Sequence, residues 1–397
     1  KVEPDMEFIR YLKSAGGDTL KKCYQCATCS AVCPLATDEK PFPRKEMIWA
    51  QWGMKDRLIA DPDVFLCHHC GDCTAYCPRG AKPGEVLGAI RAYVYTHYGF
   101  PKELARLATS AKNLPVLIGG PAFLLLVALL VSGGFHIPDA ETFKAVGFGH
   151  FFGHWDWPWL SKNVFFIDII FVPVFFFAVY ASYRGVSAMW KKMSEGIEEN
   201  EDFKPSIYQY VVDFIWPAVV EIVQHKRFEQ CGTNLDRVRG HLPLLYSFIG
   251  LLTVTVYSLV RKDFVGIFIP SLHGPIPLMD PFKLLANISA IAFIFGIMVL
   301  WTNRIKSEKE AGTAGTFYDW FLIVEIAVVG ITGIGAEVAR LACVPGLAYV
   351  FYYMHLVSVL MLFLYMPYTK FAHLIYRTAA MAFEKYRESG FVIQKQA

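Results

Sequence analysis

The sequence predicts an all-α protein in two parts: a small cysteine-rich helical domain over residues 1–112, then a bundle of six membrane-crossing helices over 113–397. Two observations predict this division. Eight of the ten cysteines fall between Cys23 and Cys77, and the chain beyond residue 113 is a succession of apolar runs with few charges. The composition agrees, with 54% hydrophobic and only 18% charged residues, against about a quarter charged in ordinary soluble domains. A net charge of +3 leaves no basic surplus for neutralising a phosphate backbone, so nucleic acid is excluded as a partner. The opening residues lack a basic segment followed by an apolar core, so no signal peptide is expected and the N-terminus is expected to stay in the cytoplasm.

In the first part, Cys23, Cys26, Cys29, Cys33 and Pro34 repeat the spacing of Cys67, Cys70, Cys73, Cys77 and Pro78. Each set is C-x2-C-x2-C-x3-C-P, the run that holds [4Fe–4S] clusters. Three thiolates at that spacing wrap three corners of a cube, and a fourth ligand must arrive from elsewhere. In the two-cluster pattern the fourth cysteine serves the other cluster. The expected ligand sets are therefore Cys23, Cys26, Cys29 and Cys77 for the first cluster, and Cys67, Cys70, Cys73 and Cys33 for the second. Zinc sites use paired short spacings rather than two interlocked sets of four. Residues 46–60 between the motifs read as a helix, which makes this a helical ferredoxin domain. His68 and His69 either donate to cluster sulfurs or are exposed loop imidazoles, the simpler reading. Lys21, Lys22, Arg44 and Lys45 flank the clusters and either balance their charge or form a docking face.

In the second part, a bilayer crossing needs about 20 apolar residues. The expected spans are 114–135, 164–185, 241–261, 283–303, 318–340 and 346–376. Residues 190–240, 304–316 and 370–397 are richer in Lys and Arg than the segments between the other span ends, which places both termini in the cytoplasm. Trp155, Trp157 and Trp159 then fall at the far interface. Residues 207–223 carry Asp213, Pro217 and Glu221 among apolar residues and read as a helix lying on the cytoplasmic interface, an extra short span being the alternative. Asp168 and Glu325 are carboxylates within spans, where a charge is costly. Glu325 is the candidate proton acceptor from a quinol, pairing with a neighbouring helix being the alternative. Cys343 and Cys231 have no assignable partner and are read as structural.

The histidines suggest where electrons travel. His355 and His373 lie 18 residues apart on the expected last helix, five full turns and about 27 Å along its axis. One imidazole near each surface is the arrangement for two haems b, each with a second histidine from another helix. His241, opening the third span, is the expected partner of His373, with His225 as a weaker alternative. His355 would take His150 or His154, or His136.

These residues carry a family resemblance. The paired cysteine motifs, with PRKEMIWAQWGMKD between them and CHHCGDCTAYCPRG in the second, resemble the C subunit of heterodisulfide reductase. The six-span remainder resembles the membrane cytochrome b subunit of that enzyme and, more distantly, the gamma subunit of respiratory nitrate reductase. The fusion order, HKRFEQC before GHLPLLYSFIGL, and the final histidine pair resemble the C subunit of the quinone-interacting membrane-bound oxidoreductases of sulfate reducers.

That resemblance implies a quinone-linked oxidoreductase subunit of a multi-subunit complex in the cytoplasmic (inner) membrane, with two [4Fe–4S] clusters, two haems b and menaquinone. It also implies flavin-containing cytoplasmic subunits and adenylylsulfate reductase as partners in sulfate respiration. The nitrate reductase gamma subunit answers its final histidine pair with two histidines on one early helix, whereas this sequence has only His241 on the third span. It also lacks a CCG-type motif, so the cluster that cleaves heterodisulfides is not expected. The alternatives are the membrane arm of a heterodisulfide-reductase-type complex and, from another class, an iron–sulfur-regulated transporter or sensor, which predicts no haem.

Overall fold

The computed structural model describes residues 3–153, 162–199, 205–227, 232, 237–266, 268–311 and 315–393. Its architecture is all-α; among the described residues the only β pairing is a two-residue ladder joining Glu198–Glu199 to Val392–Ile393. Eight short helices build the cysteine-rich domain: α1 (Met6–Ser14), α2 (Thr28–Ala31), α3 (Arg44–Gln51), α4 (Lys55–Ile59), α5 (Asp63–Leu66), α6 (Asp72–Ala75), α7 (Pro83–Tyr98) and α8 (Lys102–Leu107). Asp5 caps α1, its carboxylate accepting from the Phe8 amide at 2.9 Å, and the helix buries Phe8, Ile9 and Leu12. Helix α7 runs through the domain's core on Val86, Leu87, Ile90 and Val94.

The helix expected over 46–60 is two helices, broken at Gly53. That residue is left-handed at φ 65°, its carbonyl accepts from the Asp5 amide at 3.0 Å, and a Cβ would come within 2.9 Å of the Asp5 backbone. Only glycine allows both the turn and the contact.

Among the described residues ten further α-helices follow: α9 (Leu114–Ser132), α10 (Ala140–Val146), α11 (Lys162–Ser194), α12 (Ile207–Gln209), α13 (Trp216–Gln224), α14 (Arg237–Leu259), α15 (Pro281–Ala311), α16 (Phe317–Leu341), α17 (Pro345–Tyr365) and α18 (Ala372–Arg387). Of these, α9, α11, α14, α15, α16 and α17 are long and apolar enough to cross a membrane. The second runs nine residues beyond its expected end.

The last span differs more. Where one helix over 346–376 is expected, α17 stops at Tyr365 and α18 begins at Ala372. Pro367 is the reason, because it has no amide to donate to the preceding turn. The amides of Tyr368 and Thr369 both turn back to the Tyr365 carbonyl, at 2.9 and 3.0 Å. His355 and His373 therefore lie on separate helices, and the five-turn relation drawn from a single straight helix does not apply.

Helix α18 belongs to the cysteine-rich domain by packing. Its Tyr376, Ala380, Phe383 and Tyr386 share one core with α7, with Phe65, and with Met189 and Met193 from the end of α11. Each such fully buried aromatic contributes about 2–3 kcal/mol. The division at residue 112 is thus one of composition, while the core crosses it. Residues 207–224 form α12, a π-helical turn (Tyr210–Ile215) and α13, with Phe214 and Ala218 buried and Glu221 paired to Arg227 and Lys385. Ile207, Tyr208 and Trp216 face outward. Trp155, Trp157, Trp159 and Cys231 lie outside the described residues.

Helices α14 and α15 pack through glycines. A Cβ on Gly240 would come within 2.7 Å of Val299, and one on Gly296 within 2.8 Å of the Gly240 carbonyl oxygen. Small residues allow this close approach, and dispersion contacts supply the energy where no water is displaced. Gly296→Leu is expected to cost about 1–3 kcal/mol, measured as a lower Tm of the detergent-solubilised chain.

Candidate functional site

The two cysteine motifs fold as near copies. Gln25 and Ala27 are left-handed at φ 61° and 68°, and their counterparts His69 and Gly71 at 52° and 90°. A four-residue helix then follows in each, α2 and α6. Alternate left-handed residues turn backbone amides inward, making a concave nest that favours negative charge. The amides of His69 and Ala81 reach the sulfurs of Cys67 and Cys77, both at 3.3 Å, and Thr28 Oγ1 lies 3.4 Å from Cys26 Sγ.

The structure brings Cys23, Cys26, Cys29 and Cys77 around one cavity, and Cys33, Cys67, Cys70 and Cys73 around a second. Burial, with neighbouring sulfurs adding, pushes the Cys29 thiol up to about 11. Burial pushes Cys33 up to about 12 and Cys73 higher still. Thiols gathered this way cannot all ionise without a positive core between them, so two sets of four converging sulfurs fit iron–sulfur clusters. Cys26 differs: it is exposed, and its hydrogen bonds to Thr28 pull it below the usual thiol range.

The second cavity is tied to the membrane helix α14 and to α18. Arg377 on α18 donates to the Cys67 carbonyl at 3.0 Å, and Arg237 on α14 donates to the His69 carbonyl at 2.6 Å. Gly232 N donates to Asp72 at 3.0 Å. Burial pushes Arg377 down to about 10, which leaves it a cation at neutral pH. His68 and His69 are not exposed loop imidazoles. His68 is buried and pushed down to about 4, chiefly by that burial and then by Arg377, while His69 Nδ1 meets Arg91 at 3.0 Å.

One turn along the same two helices from Arg237 and Arg377 stand His241 and His373, each four residues from its arginine. Their ring centres are 6.1 Å apart. That spacing would let both imidazoles serve one metal centre, each metal–nitrogen bond being about 2 Å. His225 Nε2 lies 2.8 Å from His241 Nδ1, so the weaker alternative stands beside the expected ligand as a third member of the group.

His373 Nδ1 bonds the Lys370 carbonyl, and Lys370 in turn pairs with Asp319. His355 Nδ1 bonds the Val329 carbonyl at 3.1 Å. A carbonyl can only accept, so both histidines carry the proton on Nδ1 and present Nε2 as a lone pair, the form in which ligating histidines are held. The His355 ring lies against Gly333, where a Cβ would come within 2.9 Å of Cε1. His225, His241 and His373 therefore form one group of imidazoles, and His355 lies on a different helix, α17. His150 closes a 3₁₀ turn whose Phe148 stacks on Tyr352, three residues before His355, at 4.2 Å between rings. His136 is exposed after α9, and His154 lies outside the described residues. Glu325 is buried on α16, one turn before Val329, and neither of its oxygens has a hydrogen-bond partner among the described residues. Asp168 hydrogen-bonds to Asp263, a second acid that hydropathy alone does not single out.

Lys45, expected beside the clusters, turns inward instead. Its ammonium stands 3.1, 3.3 and 2.9 Å from Glu46, Asp61 and Asp63, three carboxylates that converge within 4.8 Å. The lysine fills the place a metal ion would take.

A family of 4Fe-4S dicluster domains matches residues 19–81. The C subunit of the H(2):CoB-CoM heterodisulfide,ferredoxin reductase of Methanothermobacter marburgensis is 39% identical over 150 residues, 36% of this chain and 70% of that protein. The chain belongs, through this N-terminal part, to the family of heterodisulfide reductase C subunits. A protein of Archaeoglobus profundus, itself described as like that C subunit, is 33% identical over 99 residues, 25% of this chain and 53% of its own length. Citrate utilization protein B of Escherichia coli is 25% identical over 405 residues, covering 97% of this chain and 94% of that protein. No solved structure matches. The protein is accordingly an iron–sulfur electron-transfer subunit whose helices are compatible with a multi-pass membrane protein.

Exchanging one crossed ligand tests the interlocked sets. Cys77→Ser is expected to remove the first cluster and leave the second, lowering bound iron from about eight to about four atoms per chain. Iron analysis and electron paramagnetic resonance of the reduced protein read the result. A second expectation concerns Glu46, whose burial beside Asp61 raises its proton affinity. The folded chain keeps this proton above pH 4.5, where the unfolded chain loses it, so stability declines as pH rises. Glu46→Gln is expected to flatten that decline, measured as Tm from about pH 5 to about pH 9.

Proposed function

We propose that this chain is the membrane subunit of a quinone-linked oxidoreductase, carrying electrons from menaquinol to flavin-containing cytoplasmic subunits. The observation that carries this reading is the pairing of Arg237 with His241 and of Arg377 with His373. On two separate helices, a candidate haem ligand stands one turn from an arginine that holds the loop of the second cysteine set. Haem b and the two clusters, when bound, supply one-electron carriers; the chain supplies their ligands, spacing and shielding from water.

His241 and His373 would hold the haem nearer the ferredoxin domain, with His225 and the Lys370 carbonyl fixing their rings. His355 would hold a second haem deeper in the bundle, with His150 or His154 as its other ligand. Cys33, Cys67, Cys70 and Cys73 hold the nearer cluster, and Cys23, Cys26, Cys29 and Cys77 the outer one. Glu325 is the proton acceptor in this reading. Oxidising a quinol releases protons as well as electrons, and a buried carboxyl on the helix that carries Val329 and Thr332 beside His355 is placed to take one. Both termini then face the cytoplasm, in agreement with the lysine and arginine bias.

In the narrower form of the proposal the acceptor beyond the flavin subunits is adenylylsulfate reductase, and the process is sulfate respiration. The full-length likeness to citrate utilization protein B favours a second reading, in which the same quinone-linked membrane scaffold serves a different cytoplasmic partner.

Reduced-minus-oxidised optical spectra test the haems. Wild type is expected to carry two haems b, and His373→Ala and His355→Ala to lose one each. Glu325→Gln is expected to keep both while quinol oxidation slows about 10²-fold or more. A haem-free wild-type protein would overturn the reading, and unchanged turnover in Glu325→Gln would remove that residue from it.

A further inference from the structure

The two cysteine cavities are unequal in what surrounds them. The second is closed toward α14 and α18 by Arg237, Arg377 and the Gly232–Asp72 contact, and among the described residues Asp72 is the only charged one lining it. The first opens outward. Cys26 is exposed; Tyr24, which lines the same cavity, is 68% exposed, and Tyr76, next in sequence to the lining Cys77, is 62% exposed. Arg79 lies 4.1 Å over the Tyr24 ring and donates to its hydroxyl at 2.9 Å, so an aromatic ring and a guanidinium are held together at the mouth. The charged residues lining this cavity are Arg44 and Arg79. Lys21 and Lys22, in the turn that delivers Cys23, are exposed. The exposed acids Asp38 and Glu39 lie in the loop 34–43, whose Pro34, Leu35 and Phe42 line the other cavity.

We propose that the face formed by Lys21, Lys22, Tyr24, Cys26, Tyr76 and Arg79 is the docking surface for a soluble redox protein that presents carboxylates to it. This rests on the electron-transfer reading above and adds which end of the chain meets the partner and with what charge. Rigid aromatic and arginine side chains are the types that anchor protein interfaces, and a ring of cations around them steers an acidic partner. An exposed thiolate ligand makes the first cluster the one a partner can approach, while the arginines hold the second toward the histidines.

The test uses the full chain in detergent with its clusters in place, and two probes of opposite charge, an acidic flavodoxin and a basic cytochrome c. Binding of the oxidised proteins is measured at low and high ionic strength. Flavodoxin is expected to bind more tightly than cytochrome c, with affinity falling about tenfold or more as salt screens the contact. Lys21→Glu/Lys22→Glu is expected to lower flavodoxin affinity by a similar factor and to raise that of cytochrome c, with bound iron unchanged. Arg79→Gln, which removes one cation and leaves the lysines, is expected to give a smaller loss. Flavodoxin binding that ignores these substitutions, or a wild type that prefers cytochrome c, would overturn the proposal. Reduction of the clusters by a quinol analogue, followed optically in the same preparations, keeps the two ideas apart. If that reduction fails while binding shifts as stated, the quinone reading falls and the docking face stands.

Discussion

Two arginines, Arg237 of the membrane helix α14 and Arg377 of α18, reach to the backbone of the Cys67–His69 loop, and the arrangement of the candidate redox groups depends on them. A partly buried guanidinium is costly unless it finds acceptors, and here a loop carbonyl oxygen accepts from each. The loop is thereby held against α14 and α18, and so are the histidines one turn along each helix. Geometry is set by backbone carbonyls, which cannot rotate away as a side-chain acceptor would. The charge of the arginines is retained next to a cavity that gathers thiols, which is where a cation lowers the cost of negative sulfur.

The same economy appears at the histidines. His355 and His373 each spend Nδ1 on a carbonyl, so both rings have one orientation and one free nitrogen. Lys370 links this to the wider packing, since its carbonyl holds His373 and its ammonium holds Asp319, which also pairs with Arg304 at 2.8 Å. In the irregular segment after Tyr365 the Lys370 carbonyl accepts from the His373 amide at 3.1 Å and from its imidazole as well, so one oxygen fixes both the backbone and the ring.

The ferredoxin domain and the membrane helices share a core, which has consequences for rigidity. Tyr376, Phe383 and Tyr386 of α18 pack with residues of α7 and α11, so the domain carrying the cysteines is bolted to the end of the chain. Electron carriers held on such a scaffold keep their spacing without needing a moving arm. Among the described residues the outer face around Cys26 is exposed.

Features carried by local spacing and composition can be read from the order of residues without a fold. Cysteine spacing announces its ligand chemistry because a tight loop of fixed length must wrap a compact cluster, and six apolar runs announce membrane helices because a bilayer demands length and excludes charge. The nearness of His241 to His373 was legible from their places at the ends of expected spans. Folding supplies the remainder. The inward turn of Lys45, the burial of His68, the approach of His225 to His241 and the arginine contacts join residues from 16 to 310 positions apart, and no local pattern encodes such meetings. The break at Pro367 was visible as a residue, but only packing against Asp319 and the ferredoxin core gave it a direction, since a proline says that a helix must yield and its neighbours decide where the chain goes next.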